Sequence, residues 1–360
     1  MKIAFLIQDV TTSGGTERTT CCLANEMARQ GDDVTVVSVF HEAAAPLYPL
    51  DERVTLVFAT DEHYGLDLGM TARLRLIRKQ INTVRRCKAL EEADVILSQK
   101  FLASVLAYTA GWRHKTFACE HYKYGMYNPA VRFCRDRLYR GFRGLVTLTE
   151  NDRKAFLAHG VQRVHVVENM VSISPLPYQG TSSRSILAVG RLDKQKGYDL
   201  LLEAMSMMNW TQLNGWHVEV FGDGTEREAL INQRDRLGLT DRITFHPFVK
   251  EIEREYATHA FLVMSSRFEG FPMVLLEAAA AGLPVVSFAC KEGPETLLRN
   301  GGGLLVEAEN TKALADALTR MMTDESLRAR TARETKQVVA DYTPDAIYRK
   351  WMKILNNRNE

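Results

Sequence analysis

Short apolar runs with strand character alternate with helical stretches along almost the whole chain, and no other feature narrows the possible folds as much. "KIAFLI" (Lys2–Ile7) leads into the glycine loop "TSGGTE" (Thr12–Glu17). A helical pattern over Arg18–Gly31 and a second apolar run, "DVTVVSVF" (Asp33–Phe40), follow. Continuous apolar strands are those buried on both faces, and such strands alternating with helices build parallel, doubly wound sheets. Further strand patterns lie at Val54–Ala59, Ala93–Ser98, Lys115–His121, Gly144–Glu150 and Val164–Asn169, with one long basic helix expected over Thr71–Glu92. "SISPLPYQGTSS" (Ser172–Ser183) breaks the rhythm: two prolines, a glycine and five serines or threonines in twelve residues read as a linker. The alternation then restarts. Strands are expected at Ser185–Gly190, His217–Gly222, Arg242–Phe248, Ala260–Ser266, Leu283–Phe288 and Gly302–Val306, with helices between and after them. The reading is α/β: two doubly wound domains over 1–171 and 185–342, a linker at 172–184 and a separate last helix within 343–360, where Ile347, Trp351, Ile354 and Leu355 share a face.

Length and composition are compatible with this. The 360 residues suit two domains, and 46% hydrophobic with 25% charged residues is globular in character. A formal charge of +2 implies no nucleic-acid partner, but the balance is uneven: Ala72–Arg143 carries 16 Lys and Arg against 5 Asp and Glu. A local basic field of this kind suits an anionic partner. Six cysteines without a C-x-x-C pair or a metal-ligand spacing read as reduced thiols. No run reaches the ~18 apolar residues of a membrane span, and the N-terminal run is too short for a signal peptide. The expectation is a cytoplasmic protein that can touch a membrane without crossing it.

Several residues carry chemistry. In "VGRLDKQKGYDLL", Arg191 and Lys196 bracket a short loop between a strand and a helix, where open α/β sheets bind ligands; a guanidinium and an ammonium there suit a diphosphate. Gly222 and Gly224 end another strand, compatible with a close ligand or with a tight turn. Gly14 and Gly15 follow the first strand as a candidate phosphate or sugar contact of the donor, but lack the G-x-G-x-x-G spacing and an acidic partner, which disfavours a nicotinamide site. His121 stands beside Glu120 at the end of a strand. In "RFEGFPMVLLEAAAAGLPVV" (Arg267–Val286) two glutamates interrupt the most apolar long stretch. Pro272 suits a helix start and Gly282 a helix end, so Glu269 falls in the preceding loop with Gly270 and Phe271, and Glu277 on an otherwise apolar helix over Pro272–Ala281. Buried carboxylates need partners, and ribose or sugar hydroxyls are fitting ones. There is no D-x-D to suggest a metal-held nucleotide.

The ordered set, ending in the E-x7-E pattern of "EGFPMVLLEA" and a Trp-containing terminal helix, resembles the family 4 retaining glycosyltransferases of the GT-B fold, enzymes of bacterial polysaccharide and glycolipid synthesis. The resemblance covers nearly the whole chain. It implies two Rossmann-like domains facing a central cleft, the N-terminal one binding the acceptor with the last helix packed back on it, the C-terminal one binding a nucleotide sugar. By that resemblance Arg191 and Lys196 bind the donor diphosphate and Glu277 the ribose. Glu269 holds the transferred sugar beside the Gly270–Phe271–Pro272–Met273 backbone, Gly15 approaches the phosphate, and His121 lies near the anomeric carbon. Ala289 departs from the pattern, standing where relatives often carry an acidic residue.

The activity so implied is retaining, metal-independent transfer of a hexose or N-acetylhexosamine from a UDP-linked donor, with no cofactor, to a glycan or lipid-linked acceptor in surface polysaccharide, lipopolysaccharide or glycolipid synthesis. A nucleotide-sugar epimerase of the same fold and a non-catalytic sugar-nucleotide-binding subunit are the alternatives. Basic residues beside apolar ones — Arg73, Arg75, Arg78 and Lys79 on one expected helix, Arg135 and Arg140 later — suit a lipid-pyrophosphate acceptor or the anionic inner face of the cytoplasmic membrane.

Overall fold

A computed structural model describes residues 1–60, 70–173, 178, 182–249, 251–290, 293–299 and 301–357, with backbone alone at 70–77. The chain divides into two compact units, one of residues 1–172 and 344–360, the other of 173–343. Of the linker expected at 172–184, residues 174–177 and 179–181 lie outside the described residues.

In the first unit the elements run β1 (Lys2–Asp9), α1 (Gly15–Arg29), β2 (Asp33–Phe40), β3 (Val54–Phe58), α2 (Met70–Arg85), α3 (Lys88–Glu92), β4 (Val95–Gln99), α4 (Lys100–Ala110), β5 (Thr116–Cys119), α5 (Pro129–Tyr139), β6 (Gly144–Thr147), α6 (Glu150–Ala158) and β7 (Val164–Val166). Among the described residues these seven strands form one parallel sheet in the order β3-β2-β1-β4-β5-β6-β7. Residues on both faces of β1, from Ile3 to Ile7, are at most 1% exposed, which explains why that strand reads as an unbroken apolar run.

The second unit contains β8 (Ser185–Val189), α7 (Tyr198–Ser206), β9 (His217–Phe221), α8 (Arg227–Arg236), β10 (Ile243–His246), α9 (Glu253–Thr258), β11 (Phe261–Met264), α10 (Met273–Ala281), β12 (Val285–Phe288), α11 (Pro294–Leu297), β13 (Gly303–Val306), α12 (Thr311–Thr323) and α13 (Glu325–Val339). Its parallel sheet has the order β10-β9-β8-β11-β12-β13. Helix α14 (Pro344–Leu355) then returns to the first unit, burying Ile347, Trp351 and Leu355 at i, i+4, i+8 spacing. Tyr348 donates to Asp32, Arg143 donates to the Leu355 carbonyl and Lys350 pairs with Glu168.

Two expectations are corrected. The single helix over Thr71–Glu92 is two, because Cys87 takes an extended conformation that starts α3 afresh and lets Leu90 bury completely. Arg135 does not face outward: it is fully buried, between Glu120 at 3.7 Å and Asp136 at 3.1 Å, with its guanidinium 4.4 Å from the Phe156 ring centroid and 4.7 Å from that of Tyr124. On α5 the outward positions belong to Phe133, Cys134 and Arg137, so Arg135, a quarter turn on, falls to the core. None of the six cysteines forms a disulfide.

Candidate active site

Strand order in the second sheet reverses between β8 and β11, so the loops leaving the C-terminal ends of these strands diverge there, the usual ligand position of an open α/β sheet. The two loops are tied together. Arg267 N–H donates to the Gln195 carbonyl (2.8 Å), Gln195 Nε2 to the Phe268 carbonyl (3.1 Å) and Ser265 Oγ to the Lys196 carbonyl (3.0 Å). The Arg267 guanidinium grips both oxygens of Asp199 at 2.8 and 2.7 Å and holds that carboxyl below its usual range. Gly197 makes the approach possible: its φ is +64°, and a Cβ would stand 2.1 Å from the Ser265 carbonyl oxygen.

This scaffold brings Lys196 and Glu269 together. Lys196 Nζ donates to Glu269 Oε1 at 2.8 Å, and Ser266 Oγ donates to the same oxygen at 2.6 Å. The side chains are 16% and 8% exposed, so the charges are largely desolvated but matched. Arg191 is not drawn in. Its side chain is 72% exposed and pairs with Asp193 at 3.0 Å, an arrangement worth at most about 1 kcal/mol and easily exchanged.

Helix α10 begins one residue later than the sequence suggests, with Pro272 as its N-cap and Gly282 closing it in the left-handed region (φ +81°). Glu277 is 2% exposed, and Tyr256 of α9 donates a hydroxyl bond to its Oε2 at 2.9 Å. Both signature glutamates therefore have partners within the protein. Upstream, Gly270 and Phe271 are half-buried, Phe271 packing against Tyr342 with ring centroids 5.7 Å apart. Pro272 is buried and Met273 half-buried; a Cβ on Gly293 would lie 2.5 Å from Pro272 Cδ, so that glycine admits the turn. Gly222 has a local reason of its own: a Cβ there would meet the Gly190 carbonyl oxygen at 2.0 Å, so it lets β8 and β9 end in close register.

The first sheet reverses between β1 and β4, and the corresponding loops hold the other sequence candidates. Gly14 caps α1 in an extended conformation, with the Glu17 carboxylate where a Cβ would project; Gly15 has open space on that side. Glu17 is paired at 2.7 Å with Lys100, which has a left-handed φ of +68°. His121 Nε2 lies 2.7 Å from Gln99 Oε1. Because Gln99 Nε2 donates to the Leu97 carbonyl, its oxygen faces the imidazole, and His121 Nε2–H is the donor. Burial, then Lys100, push the His121 pKa down to about 3, so the ring is neutral. Glu120 is raised to about 7 by burial, which outweighs Arg135, whose charge Asp136 already meets. Tyr139 donates to one Glu120 oxygen at 3.1 Å; the other has no partner among the described residues.

Of the basic residues, Arg78, Lys79 and Arg140 are exposed, and the side chains of Arg73 and Arg75 lie outside the described residues. Sequence reasoning missed Ser266, Tyr256, Gln99, Lys100 and the Asp199–Arg267 clamp. Ser266 sits only three residues before Glu269, a local signal; the others join segments far apart in the chain and carry none.

Residues 13–174 match the family model described as Glycosyltransferase Family 4, and 180–358 that described as Glycosyl transferases group 1. The chain is 28% identical over 99% of both chains to the amylovoran biosynthesis glycosyltransferase AmsD of Erwinia amylovora. It is 25% identical, over 99% of this chain and 98% of the other, to a Campylobacter jejuni α-1,4-N-acetyl-D-galactosaminyltransferase whose name specifies a diphospho-undecaprenol-linked saccharide. The structure superposes on Anabaena HepE in complex with UDP and glucose with a TM-score of 0.79 at 19% identity, covering 99% and 100% of the two chains.

Proposed function

The chain belongs to glycosyltransferase family 4 and has the GT-B fold, and on that premise we propose that it transfers a hexose or N-acetylhexosamine from a UDP-linked donor, with retention, to a lipid-linked glycan of a bacterial surface polysaccharide. The observation that carries this is the matched Lys196–Glu269 pair at the β8/β11 switch point. The leaving group is a nucleoside diphosphate, whose developing charge needs fixed cations; Lys196 is held in place and Arg191 is free to exchange Asp193 for phosphate. With two cations supplied by the chain, the reaction needs no metal. Glu269 offers a carboxylate to sugar hydroxyls beside the lysine, and Glu277 one to ribose hydroxyls. His121, neutral, serves as a hydrogen-bonding and shape-setting group rather than as an acid. The relatives' names support the pathway and the lipid-linked acceptor; the UDP and glucose of the structural neighbour support the donor.

For the acceptor side we propose that α5 faces an anionic lipid surface. Phe133, 71% exposed, recurs at helical spacing with Arg137 and Arg140, and Met126 and Tyr122 are exposed nearby in sequence. No helix among the described residues is long and apolar enough to cross a membrane.

The test is a donor screen with undecaprenyl-linked acceptors, following UDP release and the anomeric configuration of the product by NMR. An α-linked product from an α-donor is expected, with a fall of about a hundredfold or more in Lys196→Ala and Glu277→Ala. Near-parental turnover in either removes the site, and a changed sugar without acceptor would support the epimerase instead.

A further inference from the structure

The second unit holds a polar cluster outside the residues assigned to the donor above. On β9, Val218 and Val220 point into the core while His217, Glu219 and Phe221 share the other face. His246, which ends β10, is in register with Phe221 and stacks on its ring at 4.5 Å. His259, between α9 and β11, meets the same ring edge-on at 6.2 Å. Glu219 Oε1 accepts from His217 Nε2 at 3.1 Å. Its other oxygen faces two imidazole nitrogens, His259 Nε2 at 3.4 Å and His246 Nε2 at 3.8 Å, and neither nitrogen has a hydrogen-bond partner among the described residues.

His259 is the decisive member. It is 4% exposed, and its Nδ1 lies 2.7 Å from the Glu255 carbonyl oxygen. A carbonyl only accepts, so Nδ1 carries a proton; with one proton on the ring, Nε2 presents a lone pair toward a carboxylate oxygen. Two acceptors facing each other inside a protein repel unless a cation lies between them. An imidazole whose far N–H is fixed on a carbonyl is also the usual arrangement of a metal-ligating histidine. Glu255 precedes His259 by one helical turn, with its carboxylate 3.7 Å from Nδ1, and one oxygen each of Glu219 and Glu255 and one ring nitrogen of His259 lie within 4.8 Å of one another. Ligands around a tetrahedral zinc stand about 3.3 Å apart, close to the 3.4 Å found here between Glu219 and His259.

We propose that Glu219, Glu255 and His259 bind a divalent transition-metal cation of the zinc class, with His246 beside them. The mixed imidazole and carboxylate donors disfavour magnesium and calcium, which take oxygen ligands. The ion would clamp the C-terminal end of α9 to β9, on the helix that also carries Tyr256.

The experiment uses the full chain, freed of any affinity tag and stripped with chelator, titrated with Zn²⁺ by calorimetry and followed by thermal unfolding. One saturable Zn²⁺ per chain and a higher Tm are expected, with no effect of Mg²⁺. Glu219→Gln keeps an acceptor for His217 and should weaken Zn²⁺ binding at least about tenfold; Glu255→Gln, likewise half-buried, is the second variant and should do the same. Binding should also weaken as the pH falls, because protons compete with the metal ion for its ligands. Absence of saturable binding, or equal binding in the parent and both variants, overturns the proposal and leaves His259 as an imidazolium paired with Glu219. The readout is metal occupancy, so it stands independently of the donor reading.

Discussion

Glu120 and His121 are neighbours whose protonation is shifted in opposite senses, and this has a measurable result. Folded Glu120 titrates near 7 against an ordinary 4.5, so its contribution to stability is full below pH 4.5 and is lost as the pH rises through 7. Folded His121 titrates near 3 against an ordinary 6.5, so its contribution is full above pH 6.5 and is lost as the pH falls toward 3. Between pH 4.5 and 6.5 the slopes oppose, each at most about 1.4 kcal/mol per pH unit. Glu120→Gln removes one slope. Urea unfolding should therefore show the variant gaining on the parent as pH rises from 5 to 6.5, and parallel profiles would contradict the assignment. A second residue-scale prediction concerns Tyr256→Phe, which removes one hydrogen bond from buried Glu277. It should cost about 1 kcal/mol of stability and raise the donor KM more than it lowers kcat. The glutamates were conspicuous in the sequence because carboxylates are rare in apolar runs. Their partners were not, since Tyr256 and Lys196 approach them only through the packing of α9 on α10 and of one switch-point loop on the other.

At the scale of elements, the strands were readable because each is a short apolar run with a turn signal at its end. Helix ends were less so: nothing in "TVRRCKAL" announces that Cys87 extends, because the break serves the burial of Leu90 under the sheet. Glycines separate cleanly by space. Gly222→Ala should lower Tm by several degrees, since its Cβ would collide with the Gly190 carbonyl. Gly15→Ala meets open space in the first turn of α1 and should leave stability equal or up to about 1 kcal/mol higher. If the second variant nonetheless loses transfer activity, a ligand comes close there; unchanged activity would remove Gly15 from the donor site. In α14, Trp351→Ala should cost about 3–5 kcal/mol, because its ring is buried in the first unit. A smaller loss would mean that the helix is only loosely held.

For the whole molecule, the pattern along the chain was enough to expect two doubly wound sheets, because parallel β/α architecture repeats one local rule. Charge was a poorer guide. The excess of basic residues over 72–143 read as one field, yet Arg135 is spent inside the core and Lys100 on Glu17, so only part of it faces solvent. On the proposed reading the chemistry sits where each sheet reverses, and in the second unit this is the Lys196–Glu269 pair. The most direct measurement is donor turnover by Lys196→Met combined with Glu269→Gln, a change that removes both charges without leaving either one buried alone. A folded protein with a Tm near the parent's and transfer reduced by about a hundredfold or more is expected. Transfer at close to the parental rate in that double variant would contradict this reading.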